Sequence, residues 1–175
     1  NIITNGKFCS KFEKEITKIT HSKYAVVCNN GTSALMMAIL AKKTKNIIAI
    51  IPNINFVASS SIVTLLKGKL ILCDVSPNTG MVDIKSFLKI IQICKKKKIR
   101  PNFFLPVHYA GNVCDIKAFK QICKKENISI IEDGCHSFGS FKNDKKFTVG
   151  NSTNSLCATF SFHPVKNFTT IEGGA

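Results

Sequence analysis

Short runs of apolar residues alternate along the chain with stretches in which apolar residues recur at helical spacing. The short runs have the length of buried strands, and the spaced stretches have the pattern of helices with one apolar face. The predicted strands are residues 24–28, 47–51, 69–73, 103–107, 128–131 and 158–162. The predicted helices are residues 8–19, 32–41, 56–66 and 84–94, with a fifth after Asp115. The alternation predicts an α/β fold, a three-layer α/β/α sandwich with a mostly parallel sheet.

The polar residues between these segments refine the prediction. Asp83 and Asp115 each precede an apolar periodic stretch and are predicted to cap a helix. The helix at 32–41 is apolar nearly all round, which predicts burial on several sides. No internal repeat and no low-complexity linker interrupts the 175 residues, so the sequence predicts one domain.

The net charge of +15 raises the question of a nucleic-acid partner. Arg100 is the only arginine, although arginine is the usual reader of phosphate forks and base edges. The lysines are spread along a chain that is also rich in Asn and Ile, with one short run at 95–98. Composition bias explains this charge better, and we expect no nucleic-acid partner.

Apolar runs and cysteines bear on location and metal binding. The sequence has no apolar run of the roughly 18–20 residues that a membrane span needs, so we expect a soluble, cytoplasmic protein with no membrane partner. The eight cysteines form no C-x-x-C pair, and several lie inside apolar runs. We therefore expect reduced thiols rather than disulfides, and no metal site.

Ligands of parallel α/β sheets bind at the carboxyl ends of the strands, because polar loops and helix N-termini gather there. The residues that follow the predicted strands are therefore the first candidates for a functional site. They are Gly31-Thr32-Ser33, Asn55-Phe56, Asp74, His108-Tyr109, Glu132-Asp133 with His136, and Ser161 to Lys166.

Each of these candidates also has an ordinary structural explanation. Thr32 could simply cap a helix, Asp133 could cap or face solvent, and Phe56 is one of thirteen phenylalanines. Lys166 taken alone is more typical of a solvated lysine. Taken together, these residues fit pyridoxal 5′-phosphate (PLP), which needs a Schiff-base lysine, an acid at the ring nitrogen, a phosphate pocket and a stacking partner.

Several longer motifs identify a family resemblance. The segments "NNGTSAL", "PVHYAGNVCDI", "IIEDGCHSFGS" and "FSFHPVKNFTTIEGG" occur in this order along the chain. With them the chain resembles the DegT/StrS group of sugar-nucleotide aminotransferases, which are PLP enzymes of the aspartate-aminotransferase fold. Some relatives carry histidine in place of the lysine and are sugar dehydratases. This chain keeps Lys166, which favours transamination.

The resemblance assigns roles position by position. Lys166 would be the Schiff-base lysine, with His163 near it and the substrate as a second catalytic residue. Asp133 would keep the cofactor's ring nitrogen protonated, Phe56 would lie over the ring, and His136 would lie near the ring oxygen. The phosphate would be bound by Thr32, Ser33 and Ser161.

The resemblance also implies a reaction and partners. The amino donor would be glutamate and the acceptor a UDP-linked 4-keto-6-deoxy-N-acetylhexosamine, for surface or flagellar glycans. The alternatives are a C3 or C4 aminotransferase on a dTDP- or GDP-linked keto sugar, and an inactive PLP-fold fragment. Family members are homodimers roughly twice this length. Residues 1–175 are therefore expected to be part of the PLP-binding large domain, without the small C-terminal domain.

Overall fold

The computed structural model of the protein describes residues 6–142, 148–151 and 153–175. A parallel sheet of five strands in the order β2-β1-β3-β4-β5 forms its centre. The strands are β1 Ile48–Pro52, β2 Lys69–Cys73, β3 Phe103–Phe104, β4 Ser129–Asp133 and β5 Cys157–Thr159. The predicted α/β class and parallel sheet are confirmed.

Five α-helices of the described residues surround this sheet. They are α1 Lys7–Thr20, α2 Gly31–Ala41, α3 Val57–Leu65, α4 Ile84–Lys96 and α5 Ile116–Lys125. Side chains of α2 and α3 pack with one face of the sheet, in a core that includes Leu35, Ile62 and Leu105. Side chains of α4 and α5 pack with the other face around Phe104 and Phe119. The arrangement is the predicted three-layer sandwich.

Helix starts follow the predicted capping chemistry, with one correction. Asp83 Oδ1 accepts from Ser86 N at 2.7 Å, and Asp115 Oδ1 accepts from Ala118 N at 3.3 Å. At α2 the cap is Asn30, whose Oδ1 accepts from Ser33 N at 2.8 Å. The alternative explanation of Thr32 as the cap of this helix is therefore excluded, because the helix begins one residue earlier, at Gly31.

A third cluster joins the two ends of the chain. Ile16 of α1 packs with Phe138, Phe160 and Phe162, which lie in the segments after β4 and β5. Between α1 and α2 the predicted strand at 24–28 is wrong. Only Cys28 forms a bridge, with Gly174, because its pairing partner is the short final segment rather than a strand of the sheet.

Two more predicted strands also need correction. The run at 103–107 is a strand only at Phe103–Phe104, because Pro106 has no N–H for the ladder, although Val107 still bridges to Asp133. The run at 158–162 is a strand at Cys157–Thr159, after which Ser161 pairs antiparallel with Gly174. The chain leaves the parallel sheet at this point.

Helix α2 is less buried than the sequence predicted. It buries Leu35 and Ile39 but leaves Met37 and Leu40 42% and 48% exposed, so the expected burial on several sides is only partly met.

Among the residues that the structure describes, no helix has both the length and the apolar character that crossing a membrane requires.

Candidate active site

A cavity of about 350 Å³ opens at the carboxyl end of the sheet. Segments that are far apart in the sequence line it, because the parallel strands end at the same edge. Its walls include seven of the eight residues expected to hold or use a cofactor: Thr32, Phe56, Asp133, His136, Ser161, His163 and Lys166. The eighth, Ser33, is not among the lining residues.

Asp133 is the last residue of β4 and is only 4% exposed. Its backbone is held on both sides, since its N–H donates to Pro106 O at 2.9 Å and its carbonyl accepts from His108 N at 3.0 Å. Its Oδ2 accepts from Ser59 Oγ at 3.1 Å, and its Oδ1 accepts from Cys135 N at 3.2 Å. A fixed, buried carboxylate of this kind can form a charge-assisted hydrogen bond to a protonated ring nitrogen.

Lys166 and Phe56 lie together at the mouth of the cavity. Lys166 follows β5 in a tight turn in which its N–H donates to His163 O at 2.9 Å, and its side chain is half-buried. The Lys166 Nζ atom lies 5.9 Å from the centroid of the Phe56 ring, which is itself 65% exposed. An exposed aromatic plate beside a primary amine is a suitable place for a flat, aldehyde-bearing ring.

The N-terminus of α2 meets Ser161 at the opposite wall. A Cβ atom on Gly31 would lie 2.8 Å from Ser161 Cβ and 3.1 Å from Cys135 Sγ, so only glycine allows this close approach. The first-turn N–H groups of Gly31 and Thr32 have no intrahelical acceptor, and the hydroxyls of Thr32 and Ser161 face the same cavity. This donor set suits a phosphate. The Ser33 N–H is already bonded to Asn30, so Ser33 has only its hydroxyl to offer.

The electrostatics of the cavity are set by burial and by the charges of Lys166 and Asp133. Burial lowers the pKa of His136 from its ordinary value of 6.5; the charge of Lys166 acts in the same direction, and the charge of Asp133 opposes them. Burial and the Asp133 carboxylate raise the pKa of the neighbouring Cys135 thiol. At neutral pH the cavity therefore presents a neutral imidazole and a neutral thiol.

Tyr109, Cys135 and Glu172 are among the lining residues that were absent from the predicted site. Tyr109 follows His108, packs against the Gly80 turn and lies with its ring centroid 6.0 Å from that of His136. Glu172 Oε1 lies 3.9 Å from His163 Nε2 at the exposed rim, and Cys135 lies next to Gly31. The strand-end positions of Tyr109 and Cys135 pointed to them in advance, whereas the place of Glu172 depends on how the final segment folds back.

Two of the strand-end candidates lie elsewhere. Asp74 follows β2 at the edge of the sheet, where it accepts from Asn53 Nδ2 at 3.1 Å, away from the cavity. His108 is fully buried, with Nε2 2.9 Å from Glu132 Oε2 and Nδ1 accepting from Cys114 N at 3.0 Å. Because Nδ1 is an acceptor, the ring proton is on Nε2 and is donated to Glu132. This buried pair ties the loop between β3 and α5 to strand β4.

The cysteines of the chain are reduced and mostly outside the cavity. The eight cysteines are all free thiols, and burial raises the pKa of Cys73, Cys114 and Cys123 to about 12. In the part of the chain that the structure describes, no group of three or more His, Cys, Asp or Glu side chains is arranged to hold a metal ion.

Two curated proteins with similar sequences are named as enzymes of nucleotide sugars. The chain is 32% identical over 171 residues to GDP-perosamine synthase of Caulobacter vibrioides, covering 97% of this chain and 43% of that protein. It is 33% identical over 174 residues to the UDP-4-amino-4,6-dideoxy-N-acetyl-beta-L-altrosamine transaminase of Campylobacter jejuni, covering 99% and 44%. The chain thus spans less than half the length of the curated relatives that it matches.

The fold has similar solved structures. Helicobacter pylori PseC, an aminotransferase involved in the biosynthesis of pseudoaminic acid, superposes with a TM-score of 0.86 at 29% identity, over 98% of this chain and 44% of that one. Residues 1–175 match the family description DegT/DnrJ/EryC1/StrS aminotransferase. The expected family resemblance is confirmed: the chain belongs to the DegT/DnrJ/EryC1/StrS aminotransferase family.

Proposed function

We propose that the protein containing this chain is a PLP-dependent aminotransferase. It moves an amino group from glutamate to a UDP-linked 4-keto-6-deoxy sugar in the synthesis of a surface or flagellar glycan. The observation that carries the proposal is that Lys166 and Asp133 line one cavity with Phe56, the Lys166 amine lying 5.9 Å from the Phe56 ring centroid. An amine, an aromatic plate and a buried carboxylate are the groups that this chemistry needs.

PLP is the cofactor of the family, and the residues present fit it. Asp133 would pair with the ring nitrogen, Phe56 would cover the ring, and His136 would lie near the ring oxygen. The phosphate would be held by the N–H groups of Gly31 and Thr32 and by the hydroxyls of Thr32, Ser33 and Ser161. When bound, the cofactor supplies an electron sink for the carbon that bears the amino group.

The roles of the protein groups follow from their chemistry. Lys166 would hold the cofactor covalently through its amine and, once free, would move a proton as general base and then as general acid. Asp133 keeps the ring nitrogen protonated through its negative charge. His136, neutral at pH 7 because its pKa is lowered, donates or accepts a hydrogen bond without adding charge. His163 and Glu172 lie at the exposed rim of the cavity, where a substrate would enter.

Two substrate classes have support from the relatives. The Campylobacter jejuni relative, 33% identical, is named as a UDP-sugar transaminase, which favours a UDP-linked acceptor. The Caulobacter vibrioides relative, 32% identical, is named GDP-perosamine synthase, which favours the alternative of a GDP-linked keto sugar. We also propose that the protein is a homodimer, as the resemblance implies.

A coupled assay separates these candidates. The complete gene product loaded with PLP is mixed with glutamate and either UDP- or GDP-linked 4-keto-6-deoxy sugar, and 2-oxoglutarate and amino sugar are measured by mass spectrometry. We expect amino sugar with the UDP substrate. Product only from the GDP sugar would select the alternative, and PLP binding with no 2-oxoglutarate from either would identify an inactive PLP-binding protein.

A further inference from the structure

The Asp133 carboxylate is held by protein donors on both oxygens before any ligand binds. Cys135 N donates to Oδ1 at 3.2 Å, and Ser59 Oγ donates to Oδ2 at 3.1 Å. A carboxylate has about four lone-pair positions. With one position on each oxygen occupied, the orientation of the carboxylate plane and the lone pairs left for a ligand are both determined.

Ser59 itself does not line the cavity. It is 1% exposed and lies behind Asp133, in the first turn of α3. That turn begins at Phe56, whose carbonyl accepts from Ser59 N at 3.1 Å. The same helical turn therefore carries the aromatic plate of the site and the hydroxyl that contacts Asp133.

The Ser59 hydrogen bond differs from the usual local bond of a helical hydroxyl. A Ser or Thr inside a helix commonly donates to the carbonyl four residues earlier. Thr64 in the same helix does this, bonding Ser60 O at 3.1 Å. Ser59 instead bonds a carboxylate 74 residues away in sequence. The bond therefore links the first turn of α3 directly to the end of β4.

We propose that Ser59 is a positioning residue for the cofactor ring. Its hydroxyl orients the Asp133 carboxylate, and the first turn of α3 fixes that carboxylate relative to Phe56. The inference rests on the proposed PLP function. Ser59 acts through Asp133, since it does not reach the cavity.

Four variants of the complete protein test this role. Ser59→Ala removes the donor, Ser59→Cys keeps the volume with a much weaker donor, and Ser59→Thr keeps the hydroxyl. Ser61→Ala, an exposed position in the same helix, is the matched control. The probe is pyridoxamine 5′-phosphate labelled with ¹⁵N in the ring. Its dissociation constant is measured by titration, and the protonation of its ring nitrogen is followed by NMR against pH.

The expected results separate positioning from simple folding support. In Ser59→Ala we expect affinity to fall about tenfold, the order expected for one hydrogen bond to a charged group. We also expect the bound ring nitrogen to lose its proton at lower pH than in the wild type. Ser59→Thr and Ser61→Ala should match the wild type, with Ser59→Cys intermediate. A loss of thermal stability alone would leave the ring titration unchanged.

Three results would contradict this inference. Wild-type affinity and an unchanged ring titration in Ser59→Ala would overturn the inference while leaving the proposed function intact. If Ser59→Ala does not fold, the same two results in Ser59→Cys overturn it. Failure of the wild-type protein to bind the probe would instead overturn the proposed function and this inference together.

Discussion

Lys166 is one of 24 lysines, and in the sequence only its place after a predicted strand, within "FSFHPVKNFTTIEGG", separates it from the others. Its position in the fold separates it further. It shares a cavity with the buried carboxylate of Asp133, and its amine lies beside the Phe56 ring. Each side chain alone has an ordinary explanation, whereas their combination at one edge of the sheet supports a single chemistry.

Asp133→Asn tests the charge at the ring nitrogen. The amide has nearly the same shape but no negative charge, so the ring nitrogen would lose the partner that keeps it protonated. We expect cofactor binding to persist and both half-reactions to slow by about a hundredfold, on the order of 3 kcal/mol in the barrier. Stopped-flow absorbance measures each half-reaction. Asp74→Asn, at a remote strand end, should react normally, and a fast Asp133→Asn enzyme would remove Asp133 from this role.

His136 reports on Lys166 through its pKa. Burial and then the Lys166 charge hold this pKa below 6.5, so Lys166→Ala should raise it, which NMR titration of the imidazole protons measures. As the folded pKa is depressed, the unfolded state binds the proton first when the pH falls. The contribution of His136 to the free energy of unfolding is therefore present above about pH 6.5 and is lost as the pH falls below that value. An unchanged His136 pKa in Lys166→Ala would show that the two groups do not interact.

At the scale of elements, the site depends on the close crossing of the final segment, 173–175, with the segment that leads into α2. The final residues 173–175 pair with Cys28 and with residues 160–162, and the Gly174 Cα lies against the backbone of Asn30 and Gly31. This crossing holds the N-terminus of α2, the expected phosphate site, against Ser161. Neither segment is long enough to show this pairing as a sequence pattern.

Gly174→Ala tests that crossing. The added Cβ would overlap backbone atoms of Asn30, which cannot rotate away, so the free energy of unfolding should fall by about 3 kcal/mol. Gly173→Ala is the matched control, because its Cβ would meet the Thr170 hydroxyl and the Phe162 ring, both side-chain groups. Urea denaturation measures both variants. Equal stability losses would show that the backbone contact is not the limiting one.

The sequence predicted the helices well and the irregular strands poorly. Helical periodicity is local, so α1 and α4 begin and end within about two residues of the prediction. The segment 24–28 is apolar like a strand, but its partner is the distant Gly174, which no local pattern indicates. Pro106 shortens β3 for a reason that the sequence does contain, its missing N–H.

The candidate site divides in the same way. Strand-end position pointed to Phe56, Asp133, Ser161 and Lys166, because the edge of a parallel sheet is a general binding place. Ser59 and Glu172 were missed. Their contacts, with Asp133 and His163, depend on side-chain directions that follow only from the packed layers.

At the scale of the whole molecule, several exposed apolar side chains lie beside one groove. Tyr24, Val26 and Met37 are 76%, 59% and 42% exposed and line a groove of about 450 Å³ next to α2. Contiguous apolar surface of this kind is typical of an interface. It is consistent with the proposed homodimer.

Sedimentation of the complete gene product tests the dimer. We expect a dimer at micromolar concentration and a higher dissociation constant in Met37→Lys, which places a charge in the groove. Leu88→Lys is the control, since Leu88 is 41% exposed on α4, on the opposite face of the sheet. A wild-type protein that is active as a monomer at high dilution would contradict the proposed assembly.

The central claim is that Lys166 binds the aldehyde of PLP, and borohydride reduction tests it most directly. The complete protein is loaded with PLP, reduced, digested and mapped by mass spectrometry, since only an imine is fixed by reduction as a stable secondary amine. We expect the label on Lys166 alone, no label in Lys166→Ala, and wild-type labelling in the exposed variant Lys96→Ala. Label on a different lysine, or an active Lys166→Ala enzyme, would contradict the account.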